Sequence, residues 1–143
     1  MVTIKVGYEA TGPLSDGSAQ RWLKDATRAA VRELATAGHG RLLQTLRPRP
    51  AGVYLSVQEA GPKRASTGNY RRNISTTITG LNAVITDGGV IYGPWLEGVS
   101  SRNTTTRFKG YASFRRVGQW IEEQQMRVLR AHIGRFVRRA SGK

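Results

Sequence analysis

The chain opens with alternating apolar and polar residues, the pattern of a strand with one buried face. The apolar positions are Val2, Ile4, Val6 and Tyr8, with Thr3, Lys5 and Gly7 between them. A period of two residues brings every second side chain to the same side of a strand. The pattern therefore predicts a strand over Val2–Tyr8.

From about Ser18 the apolar spacing lengthens to three and four residues, which is typical of an amphipathic helix. The apolar face consists of Leu23, Ala26, Ala30, Leu34 and Ala37, widened by Trp22 and Val31. Gly38 and Gly40 are expected to end or kink this helix. Leu42, Leu43 and Leu46 are expected to extend it by another turn or two.

The stretch from Arg47 to Tyr70 is the least regular part of the chain. Pro48 and Pro50 each bias the preceding residue toward extended geometry, which stops a helix. Val53, Leu55 and Val57 alternate and suit a short strand, and the following residues are typical of a loop. A connection this long inside one domain is usually functional or disordered.

A β-meander is predicted next. Ile74, Thr76 and Ile78 alternate up to a turn at Gly80, and Ala83–Thr86 forms the returning strand. Asp87-Gly88-Gly89 predicts a second tight turn that leads into a strand over Val90–Tyr92, ended by Gly93-Pro94. Gly98–Thr106 is expected to be a polar linker.

The last third predicts a second long helix, over about Ala112–Ala140. Its apolar stripe has a polar gap at Glu122–Gln125, and the rest of its surface is rich in arginine. At 1.5 Å per residue the helix would reach about 40 Å, more than a small sheet can cover. We predict one α+β domain over residues 1–143: a small antiparallel sheet of three to five strands, packed against two long helices.

Charge distinguishes this chain from an average domain. It carries 23 Lys and Arg residues against 9 Asp and Glu residues, a formal net charge of +14. Such an excess favours polyanions through counterion release. It suits nucleic acid and acidic protein surfaces alike, and it makes identical subunits repel one another unless anions lie between them.

The sequence shows no arrangement typical of an enzyme. It has no cysteine, and its two histidines, His39 and His132, lie alone in their segments without metal-ligand spacing. The adjacent Glu122 and Glu123 would point to different faces of a helix, which makes a poor acid/base pair. We therefore expect no catalytic residues, no cofactor and no metal. No apolar run approaches the ~20 residues of a membrane span, so a soluble protein without a membrane partner is expected.

Two segments resemble a known family. The first runs from Ile91-Tyr92-Gly93-Pro94-Trp95-Leu96-Glu97-Gly98 through Asn103 and Thr106–Tyr111 to Phe114-Arg115. The second is Ser66-Thr67-Gly68-Asn69-Tyr70-Arg71-Arg72-Asn73-Ile74. Together they resemble the neck, or tail-completion, proteins of long-tailed double-stranded DNA phages, in a variant associated with phages of actinobacteria.

The resemblance implies a virion structural subunit that is assembled in the host cytoplasm and located in the neck or tail. Such a subunit forms a ring, with six copies favoured and twelve possible, as a tail-completion, tail-terminator or neck component. Its implied partners are the head-closure protein, the tail-tube or tail-terminator protein and packaged DNA, which the lumen would contact without sequence preference. The alternative function is a basic nucleic-acid-binding protein that binds DNA non-specifically.

Two sets of candidate residues follow. The candidate subunit interface comprises Tyr92, Trp95, Leu96, Glu97, Arg107, Phe108 and Tyr111. For Tyr92 and Trp95 a core role is favoured over an interface role, because aromatic residues that follow a strand commonly cover a sheet edge. Glu97 fits equally an ion pair across a subunit boundary and one within the chain. The candidate contacts to channel DNA or to an acidic partner are Arg47, Arg49, Lys63, Arg64, Arg71 and Arg72. The first four also fit a disordered loop.

Overall fold

A computed structural model describes residues 1–8, 17–46 and 68–140 of the chain. In chain order the elements are β1 (Thr3–Gly7), α1 (Gly17–Thr45), α2 (Asn69–Asn73), β2 (Ser75–Thr79), β3 (Asn82–Thr86), α3 (Gly93–Glu97), α4 (Arg102–Thr105) and α5 (Ser113–Ala140). The predicted α+β class is confirmed. The predicted strand Val53–Val57 and the basic stretch from Arg47 to Thr67 lie outside the described residues.

The sheet has three antiparallel strands in the order β1-β3-β2. Ile4 lies opposite Ile85, which in turn lies opposite Thr76, so these three side chains share one face. Ile4 and Ile85 are buried there, and this face packs against the two long helices. The other face carries Thr3, Lys5 and Thr77, which are exposed. A sheet covered on one side explains the period of two residues in β1.

The hairpin between β2 and β3 is a two-residue turn. Thr79 pairs with Asn82, which leaves Gly80 and Leu81 between them. Gly80 has a φ of 60°, and glycine at the first of two turn positions is the signature of a type II′ hairpin. Because the loop is this short, it fixes the register that brings Ile85 under the helices.

The two long helices, α1 and α5, lie against each other and close the core over the sheet. Leu34 and Leu42 of α1 are buried, as are Phe114 and Val117 of α5. Farther along the pair, the rings of Trp22 and Phe136 lie 4.7 Å apart. Phe136 is half-buried there, and Trp22 remains 42% exposed. This outer end of the helix pair therefore lies at the edge of the core.

The structure corrects the prediction about Gly38 and Gly40, because α1 runs without a break through both glycines to Thr45. Gly38 is the place where the helix comes closest to its neighbours. A Cβ there would lie 2.6 Å from Cδ1 of Ile121 and 3.2 Å from Cδ1 of Ile85. Glycine at position 38 thus allows a close approach of α1 to α5 and β3 and does not end the helix.

The predicted strand over Val90–Tyr92 is also wrong. Gly88 and Gly89 both adopt positive φ, at 68° and 75°, and they turn the chain away from the sheet. The amide of Gly93 donates to the carbonyl of Val90 at 2.8 Å, which makes a turn of this segment. Ile91 is 96% exposed, so burial of its side chain does not stabilise an extended conformation there.

Two shorter stretches also differ from expectation. Gly93-Pro94, expected to end a strand, instead begins α3, where proline at the first helical positions is favourable because its missing N–H needs no partner. The expected polar linker Gly98–Thr106 contains α4. The end of the predicted irregular stretch is helical as well, because Asn69 and Tyr70 belong to α2.

Candidate functional site

The segment that carries the family resemblance folds into α3 and a loop that leads to α5. α3 ends at Gly98, which has a φ of 85°, the left-handed conformation with which many helices terminate. The amide of Val99 donates to the carbonyl of Pro94 at 2.9 Å. This turn at Gly98 holds Glu97, the last residue of α3, in a position from which its side chain reaches the start of α5.

Glu97 caps α5. Its two carboxylate oxygens accept the backbone N–H groups of Ser113, at 3.1 Å, and Phe114, at 2.9 Å. The first N–H groups of a helix have no partner within the helix, and the helix dipole makes an anion favourable at that end. A residue sixteen positions before Ser113 thus supplies the cap of α5.

The surroundings of Glu97 act on its pKa in opposite directions. Burial raises the pKa, while the backbone N–H groups at the start of α5 and the charge of Arg115 lower it. Burial dominates, and the pKa lies above its ordinary value. Within the described residues, Glu97 forms no salt bridge with an arginine of the same chain, and the ion pair across a subunit boundary stays a prediction. The partners of Glu97 are backbone amides of the same chain, and an arginine contributes only at longer range.

Three of the candidate interface residues form an aromatic cluster. The ring centroids of Trp95 and Phe108 lie 4.6 Å apart, and those of Phe108 and Tyr111 lie 5.0 Å apart in an edge-on arrangement. Leu96 packs against the core, and its carbonyl accepts the amide of Tyr111 at 2.6 Å. This cluster holds the loop before α5 against α3, so these side chains have partners within the chain.

Asn103 organises the same loop from inside. It is buried, and its side-chain nitrogen donates to the carbonyls of Trp95 and Phe108, both at 3.0 Å. Its side-chain oxygen accepts the amide of Ser100. The sequence places Asn103 in the resembling segment but does not indicate that it is buried. An Asn among Ser and Thr residues is more often a turn residue on the surface.

Asp87 is a second buried carboxylate. It is fully buried, and its Oδ1 accepts the amides of Val2, at 3.1 Å, and Gly89, at 3.0 Å. It joins the start of the chain to the turn after β3. The sequence indicates the contact with Gly89, because an Asp side chain before Gly-Gly commonly accepts a backbone N–H of the turn that follows it. The contact with Val2 depends on the strand order and was not predictable.

Tyr70 lies beside this region. Burial raises its pKa, and the nearby carboxylates of Glu97 and Asp87 raise it further, since a phenolate would add a third negative charge. Its ring lies 6.0 Å from that of Tyr92. The tyrosine hydroxyl is therefore a neutral group at all physiological pH values. The ring of Tyr70 lies against the start of α3, because a Cβ at Gly93 would lie 3.3 Å from its Cε2 atom.

Three apolar side chains around α3 remain open to solvent. Ile91 is 96% exposed, Val99 is 70% exposed and Tyr92 is 41% exposed. Ile91 and Val99 were not among the sequence candidates, because Ile91 lay in a predicted strand and Val99 is a single apolar residue in a predicted polar linker. Val99 also lines a groove of about 560 Å³ between β1 and the first half of α5. Arg107, a sequence candidate, is exposed.

The predicted basic contacts are only partly within the described residues. Arg47, Arg49, Lys63 and Arg64 lie outside them. Arg71 is half-buried, and its Nε donates to the carbonyl of Leu43 at 3.1 Å, so it joins α2 to the last turn of α1. Arg72 is exposed.

The exposed cations that the structure describes are concentrated on the long helices. On α5, Arg115, Arg116, Arg127, Arg130, Arg135 and Arg138 are all exposed. Of these six arginines, only Arg135 forms a salt bridge with a carboxylate of the described residues, at 3.7 Å from Glu33. Glu33 is shared with His132, whose Nε2 lies 2.8 Å from it. His39, the other histidine, contacts the hydroxyl of Thr76 at 2.6 Å.

Within the described ranges, no cluster of His, Asp or Glu side chains could hold a metal ion. None of the helices described is long and apolar enough to cross a membrane. In comparisons with known proteins, the chain matches no family model, no curated protein and no solved structure. The class that the structure defines is a basic α+β protein with a one-sided three-stranded sheet and two long helices.

Proposed function

We propose that the chain is a structural subunit of a phage particle that joins head and tail at the neck. In this proposal it forms a ring, as a tail-completion, tail-terminator or neck component, between the head-closure protein and the tail. Six copies would match the symmetry of a tail, and twelve the portal side. The protein acts by surface complementarity and catalyses no reaction.

The proposal rests first on the sequence resemblance around Tyr92–Glu97, and the geometry adds one observation that carries it. Glu97, Trp95 and Leu96 are occupied within the chain, whereas Ile91 and Val99 beside them are exposed. Apolar side chains that are exposed on both sides of a supported helix are available for contact with a protein partner. The net charge of +14 favours solubility, whereas exposed apolar groups of this kind lower it, which supports a role for them in binding.

The experiment removes this apolar pair and asks whether particles still assemble. A phage that lacks the gene should accumulate unattached heads and tails, and the wild-type gene supplied in trans should restore joined particles. The double variant Ile91→Asp, Val99→Asp should fail to restore them, because two charges would lie in the contact. Electron microscopy of lysates, with counts of joined particles, measures the effect.

The matched control is Thr77→Asp, Thr79→Asp, which adds the same charge to exposed positions of β2. This variant should restore joined particles, and thermal unfolding should show that both double variants fold. Full complementation by the Ile91, Val99 variant would rule out this loop as the contact. Joined, infectious particles without the gene would rule out the neck function.

A nucleic-acid-binding protein that acts outside the particle is the second candidate. The observation in its favour is the excess of exposed arginines on α5, which have few carboxylate partners in the described part of the chain. Such a protein would bind duplex DNA as a free monomer or dimer and would be missing from mature particles.

A further inference from the structure

Three arginines of α5 recur at steps of eleven residues: Arg116, Arg127 and Arg138. Eleven residues are close to three full turns of an α-helix, so the three side chains leave the helix on nearly the same side. All three are exposed. We call them the arginine ladder.

The ladder lies beside the buried stripe of α5. By helical periodicity, the buried residues Phe114, Val117 and Val128 lie roughly 80–140° around the helix from the ladder. Trp120, which packs against the core, lies on the ladder's own side. None of the three arginines forms a salt bridge with a carboxylate in the described ranges. Arg127 instead donates from its Nε to the side-chain oxygen of Gln124, at 2.9 Å.

Neighbouring charges leave the ladder cationic. Helical periodicity puts Arg130 and Glu123 on the same side of α5, one cation and one anion. α5 contains no lysine, and apart from His132 its basic residues are arginines. The planar guanidinium can donate two parallel hydrogen bonds to a phosphate, which lysine cannot. This side chain chemistry favours a phosphate backbone as the partner.

The spacing matches duplex DNA. A rise of 1.5 Å per residue puts neighbouring ladder arginines about 16 Å apart and the outer two about 33 Å apart. One turn of B-form DNA is about 34–36 Å long. A helix that lies parallel to the DNA axis therefore meets the same strand at Arg116 and Arg138, with Arg127 near the opposite strand between them.

We propose that the arginine ladder of α5 is a duplex-DNA contact surface that binds the phosphate backbone without reading sequence. The inference deepens the function proposed above and rests on it in taking packaged DNA as the natural partner. It places a contact on α5, in addition to the candidate contacts between Arg47 and Arg72 that the sequence analysis gives.

The test is the salt dependence of DNA binding by the full chain. A fluorescently labelled 30-base-pair duplex is titrated with wild-type protein and with the triple variant Arg116→Gln, Arg127→Gln, Arg138→Gln. Each phosphate contact contributes about 0.9 to the slope of log K against log salt concentration. The triple variant should therefore lower the slope by roughly 2 to 3, and Arg127→Gln alone by about 1.

The matched control is Lys24→Gln, Arg28→Gln, Arg32→Gln, which removes the same charge from exposed positions of α1. These residues follow at four-residue steps and share one side of α1, and only Arg28 pairs with a carboxylate of the described part, the exposed Asp25. The control should lower the slope by less than about 1. Far-ultraviolet circular dichroism should show equal helix content in all variants.

Two results would overturn the proposal. If the control lowers the slope as much as the ladder variant, binding follows total charge and the ladder has no special role. If poly-glutamate competes with the duplex as well as unlabelled duplex does at equal charge concentration, the surface fits an acidic protein. Either result leaves the neck function untouched, because that function is tested by particle assembly and not by DNA affinity.

Discussion

At the scale of single residues, buried carboxylates hold the described part of the chain together. Glu97 accepts two amides at the start of α5, and Asp87 joins Val2 to the turn after β3. A buried carboxylate is tolerated only when such hydrogen bonds replace water. Each of these carboxylates therefore joins two separate parts of the fold.

Replacing Glu97 by alanine should destabilise the protein by roughly 2–4 kcal/mol, because two buried N–H groups would lose a charged acceptor. Urea unfolding monitored by circular dichroism measures this loss. Glu123→Ala, at an exposed position of α5, is the control and should change stability by less than about 0.5 kcal/mol. A similar small loss for both variants would contradict the capping role.

The stability contributed by Glu97 should depend on pH in an unusual direction. Because burial raises the pKa of this carboxyl above its ordinary value of 4.5, the folded chain holds the proton more tightly than the unfolded chain. The unfolding free energy of the wild type, minus that of Glu97→Gln, should therefore fall as pH rises from 4.5 through the raised pKa.

Other ionisable groups are shared by the two proteins and cancel in this difference. Unfolding curves of both at several pH values between 3 and 8 would measure it, with each buffer at about the same ionic strength. A difference that grows with pH would show that the amides of Ser113 and Phe114 outweigh burial.

The sequence indicated Glu97 as a residue of interest but not its role. Its partners, the amides of Ser113 and Phe114, lie sixteen and seventeen positions later in the chain. A cap within its own helix start has a readable spacing, whereas a cap supplied by another element depends on the tertiary fold. The resemblance names Glu97 as a candidate interface residue, and the structure gives it a capping role.

At the scale of elements, the contact between α1 and α5 depends on a glycine that looks like a helix breaker. Gly38 lies against Ile121 and Ile85, whereas Gly40, two residues later, is exposed and a Cβ there would meet no atom within 4 Å. The two glycines lie in the same helix but have different surroundings. Substitutions at Gly40 therefore serve as a control for substitutions at Gly38.

Gly40→Ala should stabilise the protein by about 0.5–1 kcal/mol, because alanine is the better helix former and fits the open space. Gly38→Leu should destabilise it by about 1–3 kcal/mol, since the side chain would force α1 away from Ile121. Thermal unfolding of both variants measures these effects. Equal changes of the same sign would mean that α1 and α5 do not approach closely at Gly38.

The elements themselves were largely predictable. Period-two alternation located β1, and three- and four-residue spacing located α1 and α5, because each element buries only one face. Val90–Tyr92 misled the prediction because β-branched and aromatic residues favour strands even where they face solvent. Gly38 misled the prediction because glycine lowers helix propensity, and the sequence does not show that close packing of α1 requires a glycine at this position.

At the scale of the whole molecule, the net charge of +14 is the dominant constraint on any assembly. Identical subunits with this charge repel one another at low salt, and a ring must offset that repulsion with anions or apolar contacts. The arginine ladder would place DNA phosphates beside α5, and Ile91 and Val99 would supply apolar contact. The proposed function therefore couples ring formation to the presence of DNA.

Ring formation should accordingly depend on DNA. Mass photometry of the purified chain in about 0.05 M salt should show mainly monomers, because at this ionic strength the charges are poorly screened. Addition of a duplex should produce higher oligomers, and the Ile91→Asp, Val99→Asp variant should bind the duplex without forming them. Stable wild-type oligomers at low salt without DNA would contradict this coupling.

The central claim, that the chain is a neck subunit, is tested most directly by the composition of mature particles. Quantitative mass spectrometry of virions of the phage that encodes the chain, purified on a density gradient, should find it at a few copies per particle. A ring at the neck predicts a constant copy number, six or twelve, relative to the portal protein. Absence of the chain from purified virions would contradict the proposed function.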